Sequence, residues 1–289
     1  MDAIIQYFDT IPSLHRTIIL VGGITLFWLI EGVIPIKNLE YKKFKHAGPN
    51  LFFTLTTILV NLCFAYLIVI TSDWASSNGI GVIHLFNTPV WLQLIIGLLV
   101  LDLVGAYTIH WIEHKIPFLW KFHVIHHSDE KVDTTTALRH HPGESVFRAT
   151  FTTLAVLLAG APMWMVMLYQ SVSAVLSQFN HSNMKMPLWL DKILKIIVVT
   201  PYMHRVHHHF RRPQTDTNYG NIFSFWDRLF GTYHDMPEKD IVYGLDVFEG
   251  NSQSIGKLLR VPMEKKNYRM LEKNINRKLN LRKIEDEAD

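Results

Sequence analysis

Long apolar blocks alternate with short polar segments over the first 109 positions of the chain. The blocks cover residues 17–36, 50–70 and 89–109. Each is close to the roughly 20 residues that an α-helix needs to cross a hydrocarbon core about 30 Å thick. The pattern predicts three transmembrane helices. The first would act as an uncleaved signal anchor, because the preceding residues lack the basic start and cleavage site of a secretory signal.

A fourth apolar region, residues 147–179, is longer than one span and is interrupted by a small-residue segment that ends in Pro162. Because proline ends or kinks a helix, two short helices fit this region better than one long helix. The two helices would form a hairpin whose ends emerge on the same face. The segments before and after the hairpin are therefore expected on one side of the membrane.

Positive charge is concentrated between the first two apolar blocks, whereas residues 71–88 carry a single charge, Asp73. The lysines of the first loop are Lys37, Lys42, Lys43 and Lys45. The positive-inside rule places this loop in the cytoplasm. The third block then returns the chain to the cytoplasm at His110. We therefore predict an all-α integral membrane protein with about three transmembrane helices, a helical hairpin and a cytoplasmic histidine-rich helical cap.

Composition excludes two classes of protein. Apolar residues make up 49% of the chain and the formal net charge is only +3. No run of Lys and Arg is interleaved with aromatic residues, so nucleic-acid binding is not expected. The single cysteine, Cys63, lies inside an apolar block, which leaves no disulfide framework and no thiolate zinc site. Histidine must supply any soft metal ligation.

Twelve of the sixteen histidines lie between His110 and His209. Eight of them form three closely spaced groups: His110 and His114; His123, His126 and His127; His204, His207 and His208. Residues three and four apart share one face of an α-helix, so each group directs several imidazoles the same way. Imidazole suits Fe, Zn, Cu and Ni. With His140, His141 and His181 nearby, the set is too large for one ion and about right for two.

Weaker roles are predicted for the other polar residues in and near the apolar blocks. Asp102 precedes His110 inside a span, and we expect it to contact either a ligating imidazole or a Tyr or Arg side chain. Glu113 is a ligand or a surface residue, and its angular position relative to His110 and His114 favours the surface. Glu31 is expected at the membrane interface. Among the five remaining histidines, His15, His46 and His84 are expected to have no role at a metal site. His209 and His234 are expected either beside the ligands or at the surface.

Five segments of the chain resemble the fatty acid hydroxylase and sterol desaturase superfamily. They are HWIEHKIPFLWKFHVIHHSDE from residue 110, TALRHHPGE from residue 136, FNHSN from residue 179, TPYMHRVHHHF from residue 200 and TDTNYGNIFSFWDRLFGTYHD from residue 215. The resemblance implies a membrane protein in which histidines hold two metals, iron in the active form, that activate O2. The domains would be transmembrane helices in residues 1–109, a di-metal catalytic domain in 110–261 and a charged tail in 262–289.

The resemblance also implies a ligand set. Carried over by position, it comprises His110, His114, His123, His126, His127, His141, His181, His204, His207 and His208. His141 matches the family's histidine before proline, and His140 is the rival for that position. Trp111 departs from the arginine often found after the first histidine, which affects packing rather than ligation.

The implied reaction is O2-dependent hydroxylation of an unactivated C–H bond of a lipid, with desaturation as the open alternative. No flavin, haem or nicotinamide fingerprint is present, so electrons are expected from an external ferredoxin-, rubredoxin- or cytochrome-type donor. A bacterial inner membrane is favoured over the endoplasmic reticulum. The competing interpretation is a membrane metal transporter or metal-binding protein, which would place its ligands near the bilayer midplane. The histidine groups follow the ends of the apolar blocks instead.

Overall fold

The computed structural model describes residues 1–245 and 252–265, and in this part the chain forms helices joined by loops. The helices are α1 Asp2–Asp9, α2 Ser13–Val33, α3 Lys43–Ser77, α4 Val90–Asp102, α5 Ile109–Lys115, α6 Pro117–His127, α7 Pro142–Ala159, α8 Met163–His181, α9 Leu188–Leu194, α10 Pro201–His207, α11 Phe225–Leu229 and α12 Ile255–Arg260. Among the described residues, extended pairing is limited to two isolated bridges, Pro35 with Met184 and Val198 with Phe223. The predicted all-α fold is confirmed. Most of the predicted charged tail, from residue 266 onward, lies outside the described residues.

Three helical segments are long and apolar enough to cross a membrane: α2, α3 and the continuous helical stretch Val90–Lys115. The three predicted spans are therefore confirmed. Helix α3 is longer than its apolar block, since it begins at Lys43 and contains Pro49 near its start. Large apolar side chains along its middle, such as Leu55, Leu59 and Leu62, are more than half exposed on the protein surface. In a bilayer these side chains would contact lipid tails.

A π-helical turn, Leu103–Thr108, joins α4 to α5 within the third span. Such turns are rare inside helices and are often found at functional sites. Here the turn lies directly before the first histidine pair and changes the direction in which the following residues point. The apolar pattern of residues 89–109 does not predict this turn.

The predicted hairpin is present as α7 and α8, connected at Gly160. Gly160 has a φ of 73°, a left-handed conformation that favours glycine. Its carbonyl lies 3.0 Å from Nε2 of His84, and the carbonyl of Ala161 accepts a hydrogen bond of 2.7 Å from Ser72. The connection therefore packs against the loop between α3 and α4, at the end of the bundle opposite the histidine groups.

The core of the bundle lies between α4, α7 and α8, where Leu101, Val156, Met165 and Val166 are almost completely buried. Small residues such as Ala155 let the helices approach closely. Lipid tails are as apolar as these side chains. In a bilayer, such helices are therefore held together by close packing and not by exclusion from water.

The loop between α2 and α3 lies at the same end of the bundle as the histidines. The backbone N–H of Ile36 donates to the carbonyl of Asn183, and the side chain of Lys37 donates to the carbonyl of Ile241. Glu31, at the end of α2, accepts hydrogen bonds from Thr134 and Asn183 and is 2% exposed. The expectation that Glu31 is merely interfacial is wrong, because it joins α2 to the segments around the site.

Candidate metal centre

Nine histidines converge into two adjacent groups at one end of the helical bundle. The first group, called here the five-histidine group, comprises His110, His114, His123, His127 and His207. The second, the four-histidine group, comprises His126, His181, His204 and His208. Within each group one nitrogen of every ring lies within 4.8 Å of the others, and all nine residues are buried.

Four short stretches of helix present these side chains. His110 and His114 lie one turn apart on α5. Helix α6 begins with Pro117 at a position that suits proline, and it carries three of the histidines near its end. Helix α10 begins at Pro201 and is capped by Thr200, whose hydroxyl accepts from the backbone N–H of Met203. The predicted clustering of histidines three and four residues apart on helices is thus present.

The five-histidine group is tightly packed through its Nε2 atoms. Nε2 of His123 lies 3.2 Å from Nε2 of His110 and 3.2 Å from Nε2 of His127. The ring centroids of His110 and His207 are 4.5 Å apart. Trp120 covers one side, with its ring centroid 4.9 Å from that of His114.

In the four-histidine group, Nε2 of His181 lies 3.1 Å from Nε2 of His126 and 3.0 Å from Nε2 of His204. The ring of His208 completes the group, 4.7 Å from that of His126. The two groups touch, since the rings of His204 and His207 are 5.1 Å apart. One set of helices therefore forms two neighbouring groups, each of which could hold a metal ion.

The ring nitrogens that face each other are spaced like the ligands of a bound cation. Nδ1 of His110 lies 2.8 Å from the carbonyl of Tyr219, and Nδ1 of His123 lies 2.8 Å from the carboxylate of Glu144. Because oxygen acceptors hold the proton on Nδ1, the Nε2 atoms of these rings carry lone pairs, and two lone pairs at 3.2 Å cannot form a hydrogen bond. A tetrahedral ion with metal–nitrogen distances of about 2.0–2.1 Å separates its ligands by about 3.3 Å. The spacing fits a metal.

Buried nitrogens without a partner give the same indication. Among the described residues, Nε2 of His114, Nε2 of His207 and both nitrogens of His208 are buried with no hydrogen-bond partner. Buried polar atoms in native proteins are nearly always paired, and a bound ion is one explanation of an exception. The donor set therefore fits two metal ions held by neutral imidazoles.

Burial keeps these imidazoles neutral. Desolvation, reinforced by the neighbouring imidazole of His207, holds the pKa of His127 well below its usual range. Desolvation and the nearby His127 do the same to the pKa of His208. Because a metal binds the unprotonated ring, the protein presents these ligands in the form that a metal requires.

Carboxylates contact the five-histidine group at two places that the sequence interpretation missed. Glu144 lies between the Nδ1 atoms of His123 and His140, and Oδ1 of Asp216 lies 3.3 Å from Nδ1 of His114. Glu113, expected at the surface, is fully buried and binds Arg148 at 2.6 Å. That expectation is wrong, because α7 crosses the face of α5 that the isolated helix would expose. The one local sign of the Glu144 contacts in the sequence is its spacing of four residues from His140.

The structure does not bring His141, the tenth residue of the expected ligand set, into either group. Its Nδ1 atom accepts a hydrogen bond from the backbone N–H of Gly143 and so caps α7. A residue before proline favours extended backbone, which is the conformation that His141 has at this cap position. His140, its rival, stacks on His126 with the rings 4.9 Å apart and 13° from parallel. Nδ1 of His140 lies 2.7 Å from Glu144 and its Nε2 lies 3.2 Å from the carbonyl of Ala137.

Asp102 contacts neither an imidazole nor a Tyr or Arg side chain through the hydrogen bonds of its carboxylate. It accepts from the backbone N–H groups of Ile222 and Phe223 and from the indole of Trp226. It thereby fixes the segment that supplies the Tyr219 carbonyl to the site. None of His15, His46 and His84 lies in either histidine group.

Residues 94–232 match the model of the family described as fatty acid hydroxylase. This segment is a fatty acid hydroxylase domain. It begins inside the third span and includes all nine histidines of the two groups. The superfamily that the five motifs resemble is thereby confirmed.

Several curated proteins are similar to the fatty acid hydroxylase domain. Ornithine lipid hydroxylase OlsE of Rhizobium tropici is 31% identical over 52% of this chain and 44% of its own length. Alkylglycerol monooxygenase of Homo sapiens is 32% identical over 56% of this chain and 35% of its own. Cholesterol 25-hydroxylase-like protein of Danio rerio is 29% identical over 43% of this chain and 49% of its own. The chain thus spans less than half the length of these relatives. No solved structure matches it.

Proposed function

We propose that this chain is a membrane-bound lipid hydroxylase that uses two iron ions and O2 to oxidise an unactivated C–H bond of a lipid. The observation that carries the proposal is the convergence of nine buried histidine nitrogens into two adjoining groups within a fatty acid hydroxylase domain. The five-histidine group would hold one ion and the four-histidine group the other. When bound, the two ions supply the activation of O2 that no acid or base side chain can provide.

The side chains around the ions have separate tasks. The oxygen acceptors at Nδ1 of His110, His123 and His207 fix the orientation of these rings and direct their Nε2 atoms inward. Trp120 and Tyr219 pack against the ring of His114 and exclude water from that side. The apolar helices that precede the site place it where a lipid could enter from the bilayer.

Hydroxylation is favoured over desaturation because the names of the similar proteins describe hydroxylases and monooxygenases. These names concern lipids with different polar parts, so the proposal extends only to a lipid. A separate electron donor of the ferredoxin, rubredoxin or cytochrome type would reduce the ions. A metal transporter would place ligands near the middle of the bilayer, whereas these ligands lie on helices at one end of the bundle. No observation favours that alternative.

Lipid mass spectrometry of cells with and without the protein tests the proposed reaction. We expect a lipid that gains the mass of one oxygen, and the added oxygen should derive from 18O2 when the cells are supplied with it. His207→Ala should abolish the product, whereas His15→Ala, which changes an exposed histidine outside both groups, should not. A product unchanged by His207→Ala would contradict the proposed site. Loss of two hydrogens instead would indicate desaturation.

We further propose that the histidine groups face the cytoplasm and that the membrane is a bacterial inner membrane. The lysine-rich loop lies at the same end of the bundle as the histidines, which supports a shared side. Single cysteines introduced at Glu40 and Asn78, both exposed, in a Cys63→Ala background would report the orientation. An impermeant thiol reagent added to intact spheroplasts should label the cysteine at position 78 and not the one at position 40. The reverse pattern would contradict the proposed orientation.

A further inference from the structure

The surroundings of the two histidine groups differ in a way that bears on metal affinity. In the five-histidine group every Nδ1 atom lies near an oxygen. Nδ1 of His207 lies 2.7 Å from the carbonyl of Thr217, and Nδ1 of His127 lies 3.5 Å from the hydroxyl of Thr215. The Nδ1 atoms of His123 and His114 face carboxylates, those of Glu144 and Asp216 respectively. Each acceptor fixes its ring and makes Nε2 a better donor to a metal.

The four-histidine group lacks most of this support. Nδ1 of His181 lies 2.7 Å from the carbonyl of Ser177, which also follows from its position at the end of α8. Among the described residues, the Nδ1 atoms of His126, His204 and His208 are buried without a hydrogen-bond partner. No carboxylate hydrogen-bonds to any of the four rings in the described part of the chain. The rings of this group are therefore less firmly oriented, and their nitrogens are weaker donors.

Charge increases the difference. Glu113 and Glu144 are both fully buried and share a single guanidinium, that of Arg148, which lies 2.6 Å and 2.9 Å from them. Glu144 thereby places a negative carboxylate directly beside His123. Within a protein such a charge acts on a divalent ion far more strongly than it would in water. Asp216 contributes less, since its side chain is 17% exposed and Arg212 lies 3.3 Å from it.

We propose that the two metal positions are unequal: the five-histidine group binds its ion first and more tightly, and Glu144 is the positioning residue that creates most of the difference. The four-histidine group binds the second ion more weakly and leaves more of its coordination sphere open to other ligands. This inference rests on the proposed two-metal function. Because its ion is bound more weakly, the four-histidine group is the position at which metal is lost and exchanged.

Titration of the chelator-stripped, detergent-solubilised full chain with Co²⁺ under anaerobic conditions tests the proposal. Visible absorption follows the ligand field of each bound ion, and calorimetry gives the two dissociation constants. We expect two equivalents to bind in two steps whose constants differ by about tenfold or more. His181→Ala should abolish the second step and leave the spectrum of the first unchanged. His110→Ala should abolish or weaken the first step.

Glu144→Gln gives the decisive comparison, because the amide keeps an oxygen acceptor at nearly the same place and removes the charge. The first dissociation constant should rise by about 10- to 100-fold, while the second changes less than threefold. Asp216→Asn should raise the first constant by less than Glu144→Gln does. Glu31→Gln is the matched control, since Glu31 is a buried carboxylate whose partners are Lys43, Thr134 and Asn183 rather than the histidine groups. It should alter neither constant.

The outcomes separate the two proposals. Two equivalents bound with equal constants, or a Glu144→Gln variant that weakens both steps alike while its helical circular dichroism is unchanged, would overturn the inequality and leave the two-metal function standing. Fewer than two equivalents bound by the unaltered chain would overturn the two-metal function itself.

Discussion

His46 and Asp129 are joined by a buried contact of 2.7 Å between Nε2 and the carboxylate oxygen Oδ1. His46 lies on α3, and Asp129 follows the end of α6 by two residues. The other ring nitrogen of His46 lies 3.2 Å from Asp133, whose carboxylate also accepts a short hydrogen bond from Tyr41. The second membrane span is thus tied to the segment that follows three of the site histidines.

His46→Ala should destabilise the protein without removing a metal ligand. The substitution removes the imidazole partner that Asp129 and Asp133 share, and loss of one partner of a buried charged pair costs about 3–5 kcal/mol. We expect a lower midpoint of thermal unfolding in detergent and metal content close to that of the unaltered chain when measured well below the midpoint. His15→Ala is the control, because His15 is exposed and, among the described residues, its hydrogen-bond partner is Tyr7. Equal midpoints for the two variants would contradict this role of His46.

Gly81→Ala should destabilise the end of the bundle opposite the histidines. A Cβ atom at this position would lie 2.2 Å from the backbone nitrogen of Gly160, and neither backbone can move aside easily. Overpacking of this kind costs about 1–3 kcal/mol. Gly79→Ala is the matched control, since its φ is also positive but nothing lies within 4 Å of the added atom. Chemical denaturation should show a larger loss of stability for Gly81→Ala, and a larger loss for Gly79→Ala would contradict the packing argument.

The features that the sequence predicts well here are local ones. An apolar run long enough to cross the thickness of a bilayer predicts a span whatever sequence surrounds it, and all three spans are present. Histidines four apart share a face of any α-helix, so the pairing of His110 with His114 follows from the spacing alone. Pro162 predicts the break between α7 and α8 because its ring cannot continue a helix from the preceding turn.

The features that escaped prediction depend on which helices pack together. The isolated α5 would expose Glu113, and only the approach of Arg148 from α7 explains its burial. In the same way, Asp102 was expected to contact a side chain, whereas its main partners are backbone N–H groups 120 residues away in the chain. Long-range packing decides such contacts, and a single sequence carries no direct record of it.

The choice between His140 and His141 can be decided by metal analysis. His141→Ala should retain metal and lose the cap of α7, worth about 0.5–2 kcal/mol, together with the contact of Nε2 with the carbonyl of Leu259. His140→Ala removes a ring stacked on His126 and a partner of Glu144, so we expect weaker metal binding. Inductively coupled plasma mass spectrometry of the two purified variants measures the difference. A metal loss in His141→Ala as large as that in His207→Ala would support the ligand role that the family resemblance implies for His141.

Acid should unfold the metal-free protein through its buried histidines. Desolvation is the largest cause that lowers the pKa of each of the following residues well below its usual range: His123, His126, His127, His204, His207 and His208. Their unfolded pKa is about 6.5, so above that pH both states are neutral and the histidines leave stability unchanged. As the pH falls below about 6.5 the unfolded chain binds protons that the folded chain does not, and each histidine lowers the free energy of unfolding by about 1.4 kcal/mol per pH unit.

Denaturation of the chelator-treated protein at pH 8, 7, 6 and 5 measures this effect. The midpoint should be nearly constant from pH 8 to 7 and should fall steeply from pH 6 to 5, and His208→Gln should reduce the slope because one such histidine is absent. Protein loaded with Co²⁺ should retain its midpoint to a lower pH, since protons must then displace the metal before the ligands can be charged. A midpoint of the metal-free protein that stays constant from pH 7 to 5 would mean that its imidazoles accept protons in the folded state, contrary to their burial.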